Sequence, residues 1–168
     1  PEITPTTGDA AGVQRFDAEG FSVDRFDDVT EVRAVLEGKF LAMRHFGEGI
    51  GMDVTELKRI IATGGASNNV AILQVLADVF GAPVYTIEQS DSASLGAAFR
   101  ALHGFCCWRN GQFIPFPSII SASALPVTEA ARPKDGAVTV YAGMLERFAL
   151  LQRDFVRQLR ERQNKYND

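Results

Sequence analysis

The run Arg59-Ile60-Ile61-Ala62-Thr63-Gly64-Gly65-Ala66-Ser67-Asn68-Asn69 limits what this chain can fold into more than any other stretch. Ile60, Ile61 and Ala62 form a short apolar run of the kind shown by a strand buried on both faces. Gly64 and Gly65 end it, and without a Cβ they let the chain turn sharply and a ligand approach the backbone. One of Ser67, Asn68 and Asn69 then caps a helix marked by Val70, Leu73, Leu76, Ala77 and Phe80. A helix start aimed at a glycine turn offers N–H groups and partial positive charge to a phosphate. Asn69 adds a carboxamide whose donor and acceptor match the N6/N7 edge of adenine. A plain β-to-α turn with a capped helix accounts for the same residues equally well. The run is neither a P-loop nor a Gly-x-Gly-x-x-Gly turn.

The remaining sequence narrows the setting. With 168 residues, 46% of them hydrophobic and 23% charged, one core is expected. A net charge of −4 without a basic run argues against nucleic acid and anionic membrane surfaces as partners. No apolar run is long enough for a membrane span. Cys106 and Cys107 are the only cysteines, and neighbours rarely pair in an ordinary disulfide, so a zinc site is not expected and a reducing cytoplasm is. The chain opens on Pro1 in polar, turn-prone sequence, and it is expected to be part of a longer protein.

Residues 1–12 are predicted to be a connector. A hairpin at a sheet edge is predicted for Val13 to Phe16 and Phe21 to Val23 around Ala18-Glu19-Gly20. A first helix follows from Thr30, with Val32, Leu36, Phe40 and Met43 on its apolar stripe, and ends at Gly47 to Gly51. Glu37 within it is expected to pair with Arg33 or Arg44. After the central helix, Gly81-Ala82-Pro83 stops the chain and Val84 to Ile87 forms a second strand parallel to the first. Ligands gather at the carboxyl ends of such strands, which places Gly64, Gly65 and Glu88 to Ser92 on one rim. A helix capped by Ser92 or Ser94 presents Leu95, Ala98, Phe99 and Leu102, while Gly96 and Ala97 let it press on its neighbours. Residues 104–135 lack a period and are predicted to be a loop excursion, packed down by Trp108, Phe113 and Phe116. A terminal helix is predicted over 138–163.

These motifs, in this order, resemble the FGGY carbohydrate kinases. The resemblance rests on Ala62-Thr63-Gly64-Gly65-Ala66-Ser67-Asn68-Asn69 continuing through Gly81-Ala82-Pro83-Val84-Tyr85, on Ala93-Ser94-Leu95-Gly96-Ala97-Ala98, and on Val32-Arg33-Ala34-Val35-Leu36-Glu37-Gly38. Within the family, the Ala-Thr-Gly-Gly-Ala-Ser run and Leu73 to Phe80 are most similar to the xylulose-phosphorylating branch of animal type. Glycerol-phosphorylating members usually carry aspartate where this chain has Thr63.

The resemblance implies an α/β fold: an incomplete C-terminal lobe of the actin-like, ribonuclease-H-like ATPases, with a parallel βαβ core and flanking helices over residues 1–168. It implies ATP or ADP as ligand, with Mg2+ arriving as the ATP complex. Gly64, Gly65 and Asn69 would contact the nucleotide, with Ala66, Ser67 and Asn68 beside them. The family's catalytic aspartate and its sugar site would precede Pro1, so neither a catalytic residue nor a metal ligand is assigned here. Asp78 and Asp91 are read as a helix-face carboxylate and a turn or cap residue. The parent protein would be an ATP-dependent kinase of D-xylulose, making the 5-phosphate. A kinase of glycerol or gluconate, or a non-catalytic actin-like module, are the alternatives. The fragment alone is expected to be catalytically silent and prone to self-association through uncovered sheet.

Overall fold

The computed structural model describes residues 13–87, 92–120 and 126–167. The expected connector at 1–12 and the rim residues 88–91 lie outside these. Three strands form one sheet in the order β1 (Ile60–Ala62), β2 (Val84–Ile87) and β3 (Val127–Ala131). β1 and β2 run parallel, pairing Ile60 with Val84 and Ala62 with Thr86. β3 returns antiparallel, with an irregularity at Val84 and Tyr85.

Helix α1 (Asp28–Gly49) is started by Asp27, whose carboxylate accepts the N–H groups of Val29 and Thr30. These bonds hold the Asp27 carboxyl below the usual aspartate range, with the Thr30 hydroxyl making the largest contribution. α2 (Val70–Phe80) stops at Gly81, which takes the left-handed conformation at φ +67° and returns its N–H to the Ala77 carbonyl. α2 is the centre of the molecule. Leu73, Leu76, Ala77, Val79 and Phe80 are buried with Leu41 of α1, Val84 and Ala131 of the sheet, and Tyr141 and Leu145 of α5 (Ala137–Asn167). Each such aliphatic side chain contributes about 1.5–3 kcal/mol when fully buried.

Polar contacts fix the same helix. The buried Arg44 donates from Nη1 to the Val79 carbonyl at 2.7 Å and from Nε to Glu48. Asp78, 3% exposed, accepts from Gln74 Nε2 at 2.9 Å and from the Lys134 N–H at 2.8 Å. The carboxylate read from the sequence as a helix-face group therefore ties α2 to the link between β3 and α5. Glu37 pairs with Arg33 at 2.6 Å, and the buried Tyr141 hydroxyl donates to Glu37 at 2.6 Å, joining α1 to α5. Burial first, then the bond to Glu37, pushes the Tyr141 hydroxyl up to about 12.

Several expectations change. The row Ile60, Val84 and Ala131 faces the helices, whereas Ile61, Tyr85 and Glu129 face solvent, and Ile61 is 44% exposed. β1 is thus covered on one face among the described residues, not two. On α1, Val32 and Met43 of the expected stripe are exposed, whereas its Leu36 and Phe40 pack against the core beside the buried Leu41 and Arg44. The segment 104–135 is not one excursion. α3 (Ser92–Asn110) runs into it, α4 (Phe116–Ile120) follows, and β3 lies within it. A five-residue helix and a strand paired to a neighbour leave no period long enough to detect. Ser92 is the first helical residue of α3 rather than its cap.

α3 does not press on the core either. His103 is its one buried residue, and Gly96, Ala97 and Ala98 are exposed. Phe113 and Phe116 pack edge-on against His103, while Trp108 stays 78% exposed beside Phe105. The expected hairpin forms as a single antiparallel bridge, Phe16 with Ser22, outside the sheet. The terminal helix extends over Ala137–Asn167.

Candidate functional site

The carboxyl end of β1 leads into the Gly64–Asn69 turn. Gly64 takes φ +84° and ψ −176°, a region open in practice to glycine alone. The chain then makes one 3-10 turn, Gly65–Asn68, before α2 begins. Three bonds close the turn: the Ser67 N–H and hydroxyl both donate to the Gly64 carbonyl, at 3.1 and 2.7 Å, and the Asn69 N–H donates to the Ala66 carbonyl. Gly64, Gly65, Ala66, Asn68 and Asn69 are exposed, and Ser67 is half-buried. A Cβ placed on Gly65 would meet no atom within 4 Å, so this face of the backbone is open to a ligand.

Asn69 is the N-cap of α2. Its Oδ1 accepts the N–H groups of Ala71 at 3.0 Å and Ile72 at 3.3 Å, and its carbonyl accepts from Leu73. The free N–H groups expected at this helix start are therefore partly spent on the cap itself. What the turn still offers is the open glycine backbone, the Asn69 Nδ2 group and the polar Asn68 side chain. The structure brings all six residues of the sequence-derived set, Gly64, Gly65, Ala66, Ser67, Asn68 and Asn69, into this one turn.

The turn carries no ionisable side chain, so it offers backbone and amide groups for contact and none for acid–base chemistry. The titratable groups that depart from their usual values lie elsewhere. Arg15 lowers Glu31, Thr55 lowers Asp53, and Arg132 followed by Tyr85 lowers Glu129. Among the described residues no cluster of three or more His, Cys, Asp or Glu side chains could hold a metal ion. No described helix is long and apolar enough to cross a membrane. Pairs such as Arg44 with Val79 and Asp78 with Lys134 escaped sequence reasoning, because a partner 35 or 56 residues away leaves no local signal.

Comparison with known proteins gives this turn its context. The chain is 45% identical over 151 residues to xylulose kinase of Mus musculus, covering 90% of this chain and 26% of that protein. It is 44% identical over 151 residues to xylulose kinase of Rattus norvegicus, again covering 90% of this chain and 27% of the relative. Xylulose kinase 2 of Arabidopsis thaliana is 50% identical over 97 residues, covering 58% of this chain and 17% of that protein. The chain thus spans about a quarter of the length of the mouse and rat relatives. Residues 20–105, which include α1, β1, the glycine turn, α2 and β2, match the C-terminal domain of the FGGY family of carbohydrate kinases. From motif, local geometry and this match together, the chain belongs to the FGGY family of carbohydrate kinases and carries its C-terminal domain.

Proposed function

We propose that this chain is the nucleotide-side portion of an ATP-dependent xylulose kinase, and that Gly64 to Asn69 receive the adenosine end of ATP. The observation that carries the reading is the turn itself. A glycine-only conformation at Gly64, an open backbone at Gly65 and an exposed Asn69 amide stand together at the carboxyl end of a parallel strand. Identities of 44–45% to two xylulose kinases across nine-tenths of the chain support D-xylulose as the substrate of the parent protein.

Phosphoryl transfer needs a base for the sugar hydroxyl, Mg2+ bridging the phosphates, and donors that stabilise developing charge. The described residues offer a place for the nucleoside and leave base, sugar site and metal ligands to sequence outside this chain. ATP and Mg2+ are then ligands of the assembled cleft. The cytoplasm fits such a metabolic enzyme.

Titration of the purified chain with ADP, followed by 1H–15N amide shifts, tests the nucleotide site. Weak, saturable shifts at Gly64 to Asn69 are expected, and no transfer of phosphate to D-xylulose by the chain alone. To test the kinase role of this portion, residues 13–167 are grafted in place of the matching segment of the mouse xylulose kinase. Retained D-xylulose-dependent ADP formation is the expected outcome; a folded graft without it would refute the kinase reading.

A further inference from the structure

The carboxamide of Asn69 is divided between the fold and the ligand side. Its Oδ1 accepts two backbone N–H groups, from Ala71 and Ile72, which occupies both lone pairs of an amide oxygen. The same two donors fix which end of the amide is oxygen, since an NH2 in that place would set donor against donor. Nδ2 is therefore the end left outward, on an exposed residue. Reading adenine at N6 and N7 takes both ends of an amide, the oxygen accepting from the 6-amino group and the nitrogen donating to N7. At Asn69 the accepting end is already used.

Resting on the nucleotide reading above, we infer that Asn69 meets the nucleoside as a donor only, from Nδ2 to a purine ring nitrogen or a ribose oxygen, and does not read the 6-amino group. Ring nitrogens and ribose oxygens are common to all purine ribonucleotides. Asn69 therefore contributes affinity for a purine nucleotide without selecting adenine. The cap imposes this division: turning the oxygen toward a base would release two N–H groups at the start of the helix that organises the core.

Two variants separate cap from contact. Asn69→Asp keeps an acceptor for Ala71 and Ile72 and removes the amide donor. Asn69→Ser also keeps a capping oxygen, with no added charge near the phosphates. The parent chain and both variants are titrated with ADP and with purine riboside 5′-diphosphate, which carries hydrogen at C6. Amide shifts report binding, and thermal unfolding of each variant checks the cap. Both variants should bind ADP about 5–10-fold more weakly, the effect of one lost hydrogen bond. The loss for purine riboside 5′-diphosphate should agree with it within about twofold, as uncoupled groups require. A loss for ADP at least fivefold greater than for the analogue would overturn the inference, because it measures coupling between Asn69 and the 6-amino group. Unchanged binding in both variants would overturn it as well. A parent chain that binds neither nucleotide overturns the nucleotide reading itself and this inference with it, a result distinct from unequal losses in a chain that does bind.

Discussion

Adjacent glycines at the turn should respond to the same substitution with opposite signs. Gly64 sits at φ +84° and ψ −176°, and a Cβ there would meet no atom within 4 Å. The cost of Gly64→Ala is therefore backbone strain, about 1–3 kcal/mol. Alanine recovers about 0.5 kcal/mol by stiffening the unfolded chain, leaving a net loss of roughly 0.5–2.5 kcal/mol. Unfolding entropy near 2.1 cal/mol/K per residue gives about 0.35 kcal/mol/K for 168 residues, so Tm should fall by about 1–7 °C. Gly65 has the same empty surroundings but no positive φ, so Gly65→Ala keeps only the unfolded-state gain and Tm should rise by about 1–3 °C. Its new methyl group nevertheless stands on the open face, so ADP shifts should weaken while the fold is retained. Calorimetric unfolding paired with ADP titration reads both quantities. A Gly64→Ala chain as stable as the parent, or a Gly65→Ala chain that binds ADP fully, would refute the division between a strained hinge and an open seat.

Other perturbations test the supports of the site. Asp78→Ala removes the acceptor for Gln74 and the Lys134 N–H in a buried position and should cost about 1–3 kcal/mol in urea unfolding. Asn69→Ala should lose about 0.5–2 kcal/mol through the cap, whereas Asn69→Asp should not, as thermal unfolding of the two will show. Tyr141 has its folded pKa raised to about 12, above its ordinary value of 10.0, so its stabilisation is complete below pH 10 and lost as pH rises toward 12. Unfolding midpoints across that window should fall less steeply in Tyr141→Phe than in the parent. Sedimentation of the chain should show mass rising with concentration, because Ile61, Leu102, Phe105 and Trp108 are left in solvent; a strictly monomeric profile would count against an uncovered face.

What the sequence discloses follows the range of each interaction. The N-cap of α2, narrowed to Ser67, Asn68 or Asn69, the helix stop at Gly81 and the partner of Glu37, narrowed to Arg33 or Arg44, are settled within a few residues and so are legible to within those choices. The parallel register of β1 and β2 follows from the strand–helix–strand order. Burial does not. Ile60-Ile61-Ala62 has the pattern of a strand covered twice, yet coverage depends on what lies across the sheet, and among the described residues only one face meets helices. The α1 stripe holds at Leu36 and Phe40 but not at Val32 and Met43 for a related reason: long-range partners, Val79 for Arg44 and Tyr141 for Arg33, choose which face turns inward. β3 was missed because Val127–Ala131 is recruited by β2 rather than announced by its own alternation. At the glycine turn, sequence placed Gly64 to Asn69 between β1 and α2 but could not show the direction of the Asn69 amide, since that is decided by which N–H groups lie in front of it.

The division of α2 explains how so exposed a turn can hold a defined shape. From Leu73 to Phe80 the helix is mostly buried, gripped by Arg44 on its last turn and by Lys134 through Asp78. Its first turn carries no such packing and ends in Asn69 at the surface. A helix fixed at one end transmits that position to the other, because its backbone bonds leave little freedom between them. The core thus sets where the Asn69 amide stands, and the cap sets how it points. α3 has no comparable anchor: His103 is its one buried residue, and Gly96, Ala97 and Ala98 are exposed. The turn at Gly64 to Asn69 is thus seated on α2, whose later turns are held in the core, rather than on the exposed α3.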